Sequence, residues 1–202
     1  MYMKKNENLL ILRVAEGLGN QLFMYANAFS LSKKYNYKLL IDNTSGYFKK
    51  KNQIRSYELN KFITNLNIAS DKFKFDTYLK DIKRKFLKKI DPFFTKKNFY
   101  IEKKNSLKKT FFQEINLINY SNIIFLEGHF ESEKYFKDYS KDIKKFIKPD
   151  INLVINNNKY INNLLSSNSV SICIRQNRYS EGKFKDLTKS SKFTKDTINY
   201  RL

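Results

Sequence analysis

Near the start of the sequence a continuous apolar run, Asn8–Val14 (NLLILRV), predicts a strand buried on both faces. From Asn20 to about Tyr35 the residues Leu22, Phe23, Ala26, Ala28 and Phe29 recur near helical spacing, with Gln21, Asn27 and Lys33 left facing outward. A second short apolar run, Tyr37–Asp42 (YKLLID), follows. Strand, glycine loop, helix and strand form a βαβ unit, the opening of a parallel sheet.

The middle of the chain is less regular. From about Asp71 to Lys109 it is dense in lysine and offers no obvious strand. Within it, Thr77–Ile90 predicts a helix with Leu79, Ile82, Phe86 and Ile90 on one face. Lys80, Lys83, Arg84 and Lys88 fall largely outside that stripe. Docking of the stripe on the protein's own core is the ordinary outcome, and lying on an anionic membrane is the other. Asn122–Gly128 is a third strand. Ser132–Ile147 predicts one helix that offers Tyr135, Phe136, Ile143, Phe146 and Ile147 for burial, with Pro149 ending it. A short helix (Asn158–Leu165), a fourth strand (Ser169–Arg175) and a final helix opening at Phe193 complete the pattern. No internal repeat is present.

Composition narrows the classes. The 202 residues, 41% hydrophobic and 16% aromatic, suffice for a core. Forty Lys and Arg against 19 Asp and Glu leave a net charge of +21. That balance suits a polyanionic partner. It equally suits compositional drift, because lysine is spread along the whole chain while Gly, Pro and Trp are scarce. The single cysteine, Cys173, excludes an internal disulfide, and with the single histidine, His129, it leaves too few ligands for a zinc enzyme. No stretch approaches the roughly 20 apolar residues that span a bilayer. The expected location is the cytoplasm, or the surface of the cytoplasmic membrane.

Candidate chemistry begins with AEGLGNQLFMYA, Ala15–Ala26. Gly17 and Gly19 fit the first two positions of a dinucleotide fingerprint, but Leu22 occupies the third, which disfavours NAD. Two readings stay open. The loop is either a plain βα turn that needs glycine for a positive φ, or an anion site. In the second, Gly19 lets a ligand approach the backbone, helix N–H groups face it, and Asn20 and Gln21 add donors.

The wording of three islands adds to this. EGLGNQLFMYANAFSLSKKYN closely resembles the N-terminal signature of the α-1,2-fucosyltransferases of glycosyltransferase family 11, commonly G-G-L-G-N-Q-L-F-Q-Y-A. FLEGHFESEKYF (Phe125–Phe136) resembles that family's L-x-G-Y-x-Q-S-E-K-Y-F, and VSICIRQNRYSEG (Val170–Gly182) its V-S-V-H-I-R-R-G-D-Y segment. The islands occur in the family's order, while residues 45–120 carry no signature.

The resemblance implies an α/β fold of GT-B type. Residues 1–150 would form a Rossmann-like, acceptor-side domain, and 151–202 the start of an incomplete donor-nucleotide domain. It implies inverting transfer of L-fucose from GDP-fucose to a β-galactoside on an oligosaccharide or glycolipid, such as a surface glycan or O-antigen. No cofactor or metal would be required. Fixed cations must then meet the departing diphosphate. Arginine suits that task because its planar fork holds two phosphate oxygens. Arg175, at the end of a predicted strand and aligned with the motif's first arginine, is the expected catalytic and donor-binding group. Arg178, Gly17, Gly19, Asn20 and Gln21 are further donor-side candidates.

The sequence also departs from the family. Cys173 stands for its histidine, Gln176 for its second arginine, Asn177 for its glycine and Arg178 for its aspartate. Arg178 is a candidate replacement for the lost charge. His129 takes the place of the family's aromatic, which points to stacking or packing. Glu16, Glu127 and Glu131 are carboxylates close to the motifs, with packing or solvent exposure as the alternative to a catalytic-base role. The chain ends just after the strand that would open the donor half. The expectation therefore divides between an active enzyme, a non-catalytic remnant and, from another class, a basic nucleic-acid-binding module. No helix-turn-helix, RNP-type or zinc motif supports the last, and no nucleic-acid partner is expected.

Overall fold

The computed structural model describes residues 7–49, 55–103, 112–147, 162–164 and 166–168. The chain divides into two compact units, Met1–Leu153 and Val154–Leu202. In the second, only one short helical turn at 162–164 is described.

The first unit is an α/β layer built on a four-stranded parallel sheet of order β2-β1-β4-β3. Its elements are β1 (Leu9–Arg13), α1 (Leu18–Tyr35), β2 (Lys38–Asp42), α2 (Tyr78–Ile90), β3 (Lys97–Ile101), β4 (Tyr120–Glu127) and α3 (Ser140–Phe146). β1 pairs with β2 on one side and β4 on the other, with Ile11 opposite both Leu40 and Phe125. This central position explains why NLLILRV is apolar throughout. Leu10, Leu12, Ile124 and Leu126 enter one core with Met24, Ala28 and Leu31 of α1 and Ile143 of α3. The alternate residues face the other side. There Phe125 lies 5.2 Å from the ring of Phe75 and 5.0 Å from that of Phe99. The outer edge of β2 is partly covered: Ile41 N–H donates to Asn67 and Ala69 N–H donates to Ile41.

Helix α1 stops at Asn36, whose φ of 55° is left-handed, and Lys33 and Lys34 lie in its last turn. Its burial is wider than the periodicity implied. Gln21 and Asn27, expected outside, are fully buried, whereas Phe23 is partly exposed against Phe136. Neither amide atom of Asn27 makes a hydrogen bond among the described residues.

Three further differences follow from local chemistry. β3 sits in the stretch read as strandless; it is a short edge strand with one buried residue, Phe99, and Tyr100 packed partly against the core. Edge position removes the apolar alternation that would have revealed it. The single helix expected at Ser132–Ile147 is broken into two 3-10 turns, Glu133–Tyr135 and Lys137–Tyr139, before α3. Ser132 caps the first turn, and Phe136 leaves helical geometry with φ −137° and ψ 13°. Of the residues offered for burial there, Tyr135 and Ile143 are buried and Phe146 is exposed. Helix α2 forms where expected, with the Thr77 hydroxyl accepting from Lys80 N–H at 3.3 Å. It faces the opposite way: Leu79, Ile82 and Phe86 are exposed, and Asp81 is buried. Among the described residues no helix is long and apolar enough to cross a membrane. The strand and helix expected at Ser169–Arg175 and Phe193–Leu202 lie outside the described residues.

One close approach fixes the loops that follow β1 and β2. A Cβ on Gly46 would lie 2.0 Å from the Val14 carbonyl oxygen and 2.9 Å from Ala15 Cα, both backbone atoms. Gly46→Ala should therefore destabilise the fold by about 2–3 kcal/mol. Thermal denaturation should show a fall of roughly 4–12 °C. An unchanged melting temperature would mean that these loops do not meet as described.

Candidate functional site

The loop after β1 does not use its glycines as turn chemistry suggested. The positive φ belongs to Glu16, at 65°. Gly17 caps α1 in extended geometry, φ −77° and ψ 167°. A Cβ on Gly17 would meet only Arg55 Cδ at 4.0 Å, and one on Gly19 nothing within 4 Å. The fold itself does not require glycine at either position, so the plain-turn reading loses its reason. Gln21 is corrected in the other direction. Its Nε2 donates to the carbonyls of Glu16 at 2.9 Å and Ser56 at 2.8 Å, and its Oε1 accepts from Glu58 N–H at 2.9 Å. This buried amide ties the loop to the 56–58 segment, so it is taken up by the protein. Glu16 forms an ion pair with Arg55.

The C-terminal ends of β1, β3 and β4 surround a cleft of about 180 Å³. In open parallel sheets this is the end at which ligands bind. Arg13, Ala15 and Met24 line it from the β1–α1 side, Ile101 and Glu102 from β3, and Glu127, Gly128 and His129 from β4. The first and second sequence islands, a hundred residues apart, thus share one cleft.

Each polar group there has an identifiable restraint. Glu102 Oε2 accepts from the backbone N–H groups of His129 at 2.7 Å and Phe130 at 3.0 Å. Gly128 is obligatory beneath it, because a Cβ would lie 2.4 Å from Glu102 Cβ. Arg13 Nη2 donates to the Ser45 carbonyl at 2.9 Å, while its buried Nε makes no hydrogen bond among the described residues. Burial pushes the Arg13 guanidinium down, and the nearby Glu127 carboxylate opposes that; an arginine remains charged under either influence. The His129 ring is partly exposed, with Nδ1 3.8 Å from a Glu131 carboxylate oxygen.

Glu127 is the most constrained group. Arg84 Nη1 donates to its Oε1 at 2.6 Å and Lys88 Nζ to its Oε2 at 2.7 Å. Arg84 also donates to Asp81 Oδ1, from Nη2 at 2.8 Å and Nε at 3.2 Å. Lys49 and Lys85 complete the Asp81 side. Burial alone would raise the Glu127 carboxyl, but Lys88 and Arg84 outweigh it and hold the group below the usual carboxylate range. Asp81 is likewise held down, with Lys49 and Arg84 outweighing burial. A carboxylate so committed is a poor proton acceptor, which weighs against Glu127 as a catalytic base.

Gly17, Gly19, Asn20, Glu127 and His129 are thus gathered around one end of the sheet. Arg175, Arg178 and Cys173 lie outside the described residues. Sequence reasoning missed Arg13 and Glu102. A charge inside the apolar run LLILRV was the available signal for Arg13; Glu102 was hidden with the strand that carries it. Among the described residues no group of three or more His, Cys, Asp or Glu side chains could hold a metal ion. Comparisons with protein-family models, with curated proteins and with solved structures give no match.

Glu127→Gln would remove the counterion of the half-buried Lys88 and one of the two carboxylate partners of Arg84, and should cost about 2–3 kcal/mol. The pH dependence has a definite sign. The folded-state pKa values of Glu127 and Asp81 lie below their ordinary values of 4.5 and 3.8. The stabilisation is therefore complete above about pH 4.5 and is lost as pH falls below it. Urea denaturation should show the gap between wild type and Glu127→Gln closing on acidification. A gap that stays constant from neutral to strongly acidic pH would contradict the pairing.

Proposed function

We propose that the chain belongs to an inverting α-1,2-fucosyltransferase of GT-B type that takes L-fucose from GDP-fucose and transfers it to a β-galactoside. The observation that carries this reading is the meeting of the two distant islands, Ala15–Ala26 and Phe125–Phe136, at the ligand-binding end of a parallel sheet. The open space over Gly19 supports it further. That glycine leaves the backbone approachable, as a diphosphate or sugar requires.

In the proposed reaction the acceptor hydroxyl attacks C1 of fucose from the face opposite GDP. The bond from C1 to the phosphate oxygen breaks, and its electron pair stays on GDP. A base takes the hydroxyl proton. Negative charge grows on the diphosphate, so preorganised cations are the main catalytic resource. Arg175 is assigned that role, with Arg178 as the candidate replacement for the family's second arginine. Arg13 adds a cation at the cleft with a donor, Nε, that is unused among the described residues. Gly17, Gly19 and Asn20 follow Ala15 of the cleft lining at the start of α1, and His129 lines the cleft for packing or stacking.

Thermal denaturation with GDP tests the reading. At a GDP concentration 100 times its dissociation constant, the stabilisation should be about 2.7 kcal/mol. For a chain of this length that is roughly 5–10 °C. Arg175→Ala should abolish the response. Gly19→Ala should leave the unliganded melting temperature within about 2 °C, yet weaken the GDP response, because the methyl group enters the ligand's space. No GDP response, together with nucleic-acid binding that falls steeply with salt, would replace the enzyme reading with a polyanion-binding one.

A further inference from the structure

Helix α2 meets the protein with its charges and meets solvent with its hydrocarbon. Arg84, Lys88 and Asp81 point inward to the Glu127 network. Leu79, Ile82 and Phe86 point outward, 81%, 62% and 60% exposed. Phe93, just beyond the helix, is 87% exposed. Scattered exposed apolar residues need no explanation, but a continuous stripe on one helix face does. At 3.6 residues per turn, Lys83 and Lys85 fall on the two edges of the stripe and Lys89 falls beside Ile82. All three lysines are exposed.

Charge decides what covers this face. Thr77–Lys97 contains eight basic and two acidic residues, and both acids, Asp81 and Asp91, are buried. The surface it presents is apolar, framed by cations only. A second copy would bring the same positive frame against it. The chain's own residues 154–202 hold nine basic and three acidic side chains and are equally repelled. Nucleic acid supplies negative charge and could stack on the exposed rings of Phe86 and Phe93, but the aliphatic side chains of Leu79 and Ile82 between the lysines offer bases no ring. An anionic bilayer answers both features, with acyl chains for the stripe and phosphates for the lysines.

We propose that the outward face of α2 binds the surface of an anionic lipid membrane. The helix, about 20 Å long, lies in the interface plane. Leu79, Ile82 and Phe86 enter the acyl boundary, while Lys83 and Lys89 extend to headgroup phosphates and Lys85 stays paired with Asp81 at the edge of the stripe. The inward face keeps its ion pairs, so binding requires no rearrangement of the fold. The inference stands independently of fucosyl transfer.

Co-sedimentation of the full chain with vesicles tests it. Phosphatidylcholine vesicles containing phosphatidylglycerol should bind the protein, and pure phosphatidylcholine vesicles should bind it weakly. The double substitution Ile82→Asp/Phe86→Asp, at exposed positions, should leave the melting temperature unchanged and weaken binding roughly 100-fold or more. Lys83→Gln and Lys89→Gln should each weaken it about fivefold. Vesicle binding that survives the double substitution and disappears with salt would overturn the proposal in favour of general adsorption by a basic chain. Concentration-dependent self-association that Phe86→Asp removes, without vesicle binding, would overturn it in favour of a second copy. Binding to DNA or RNA that the double substitution removes, again without vesicle binding, would do so in favour of nucleic acid.

Discussion

Two carboxylates, Glu127 and Asp81, decide which way α2 faces. A helix with a clean apolar stripe ordinarily buries it, because each large side chain removed from water gains about 1.5–3 kcal/mol. Here the surface that receives the helix ends in Glu127, at the buried end of β4. Covering that carboxylate with Leu79 or Phe86 would strand a charge, which costs more than the hydrocarbon gains. Arg84 resolves the conflict by bonding Glu127 and Asp81 together, and Lys88 occupies the remaining Glu127 oxygen. Once those bonds are made, the stripe has only solvent to face.

The same economy of negative charge runs through the unit. Asp42 accepts the backbone N–H of Ser45 at 3.0 Å and closes the turn after β2. Asp91 accepts from Asn98 at 2.8 Å and Phe99 at 3.2 Å, joining the end of α2 to the edge strand. Glu102 holds the turn after β4 through His129 and Phe130. These acids are buried, as are Glu127 and Asp81. A chain that begins with 40 bases and 19 acids therefore presents an outer surface more positive than its composition alone implies. Exposed charges act over about 10 Å at moderate salt, so that surplus favours anionic partners.

The central part of the fold was legible because its burial is complete. β1 and β4 are apolar wherever both faces of the sheet are covered, and the strand–loop–helix–strand order allows few topologies. Legibility failed where polar atoms are buried. Gln21 and Asn27 read as surface residues because polarity is an average guide to exposure, and the three backbone bonds of Gln21 cannot be foreseen from spacing. For α2 the helix was visible and its orientation was not, since orientation depends on Glu127, 43 residues from Arg84. The cleft was half visible. Its glycine and His129 loops stand out in the sequence, whereas Arg13 and Glu102 acquire meaning only when the strand ends converge.

Glu127 also links the cleft to the outer face. Its carboxylate forms part of the cleft wall while its two oxygens anchor Arg84 and Lys88 of α2. The local balance is cationic: Arg13, Arg84, Lys88 and Lys49 surround Glu127 and Asp81. Of the two carboxylates that line the cleft, Glu127 is compensated by Arg84 and Lys88, and Glu102 accepts the His129 and Phe130 N–H groups. That engagement is why two lining carboxylates do not by themselves exclude an anion beside Arg13. It is also why the outward presentation of the α2 stripe and the electrostatics of the cleft are properties of one network rather than of two separate surfaces.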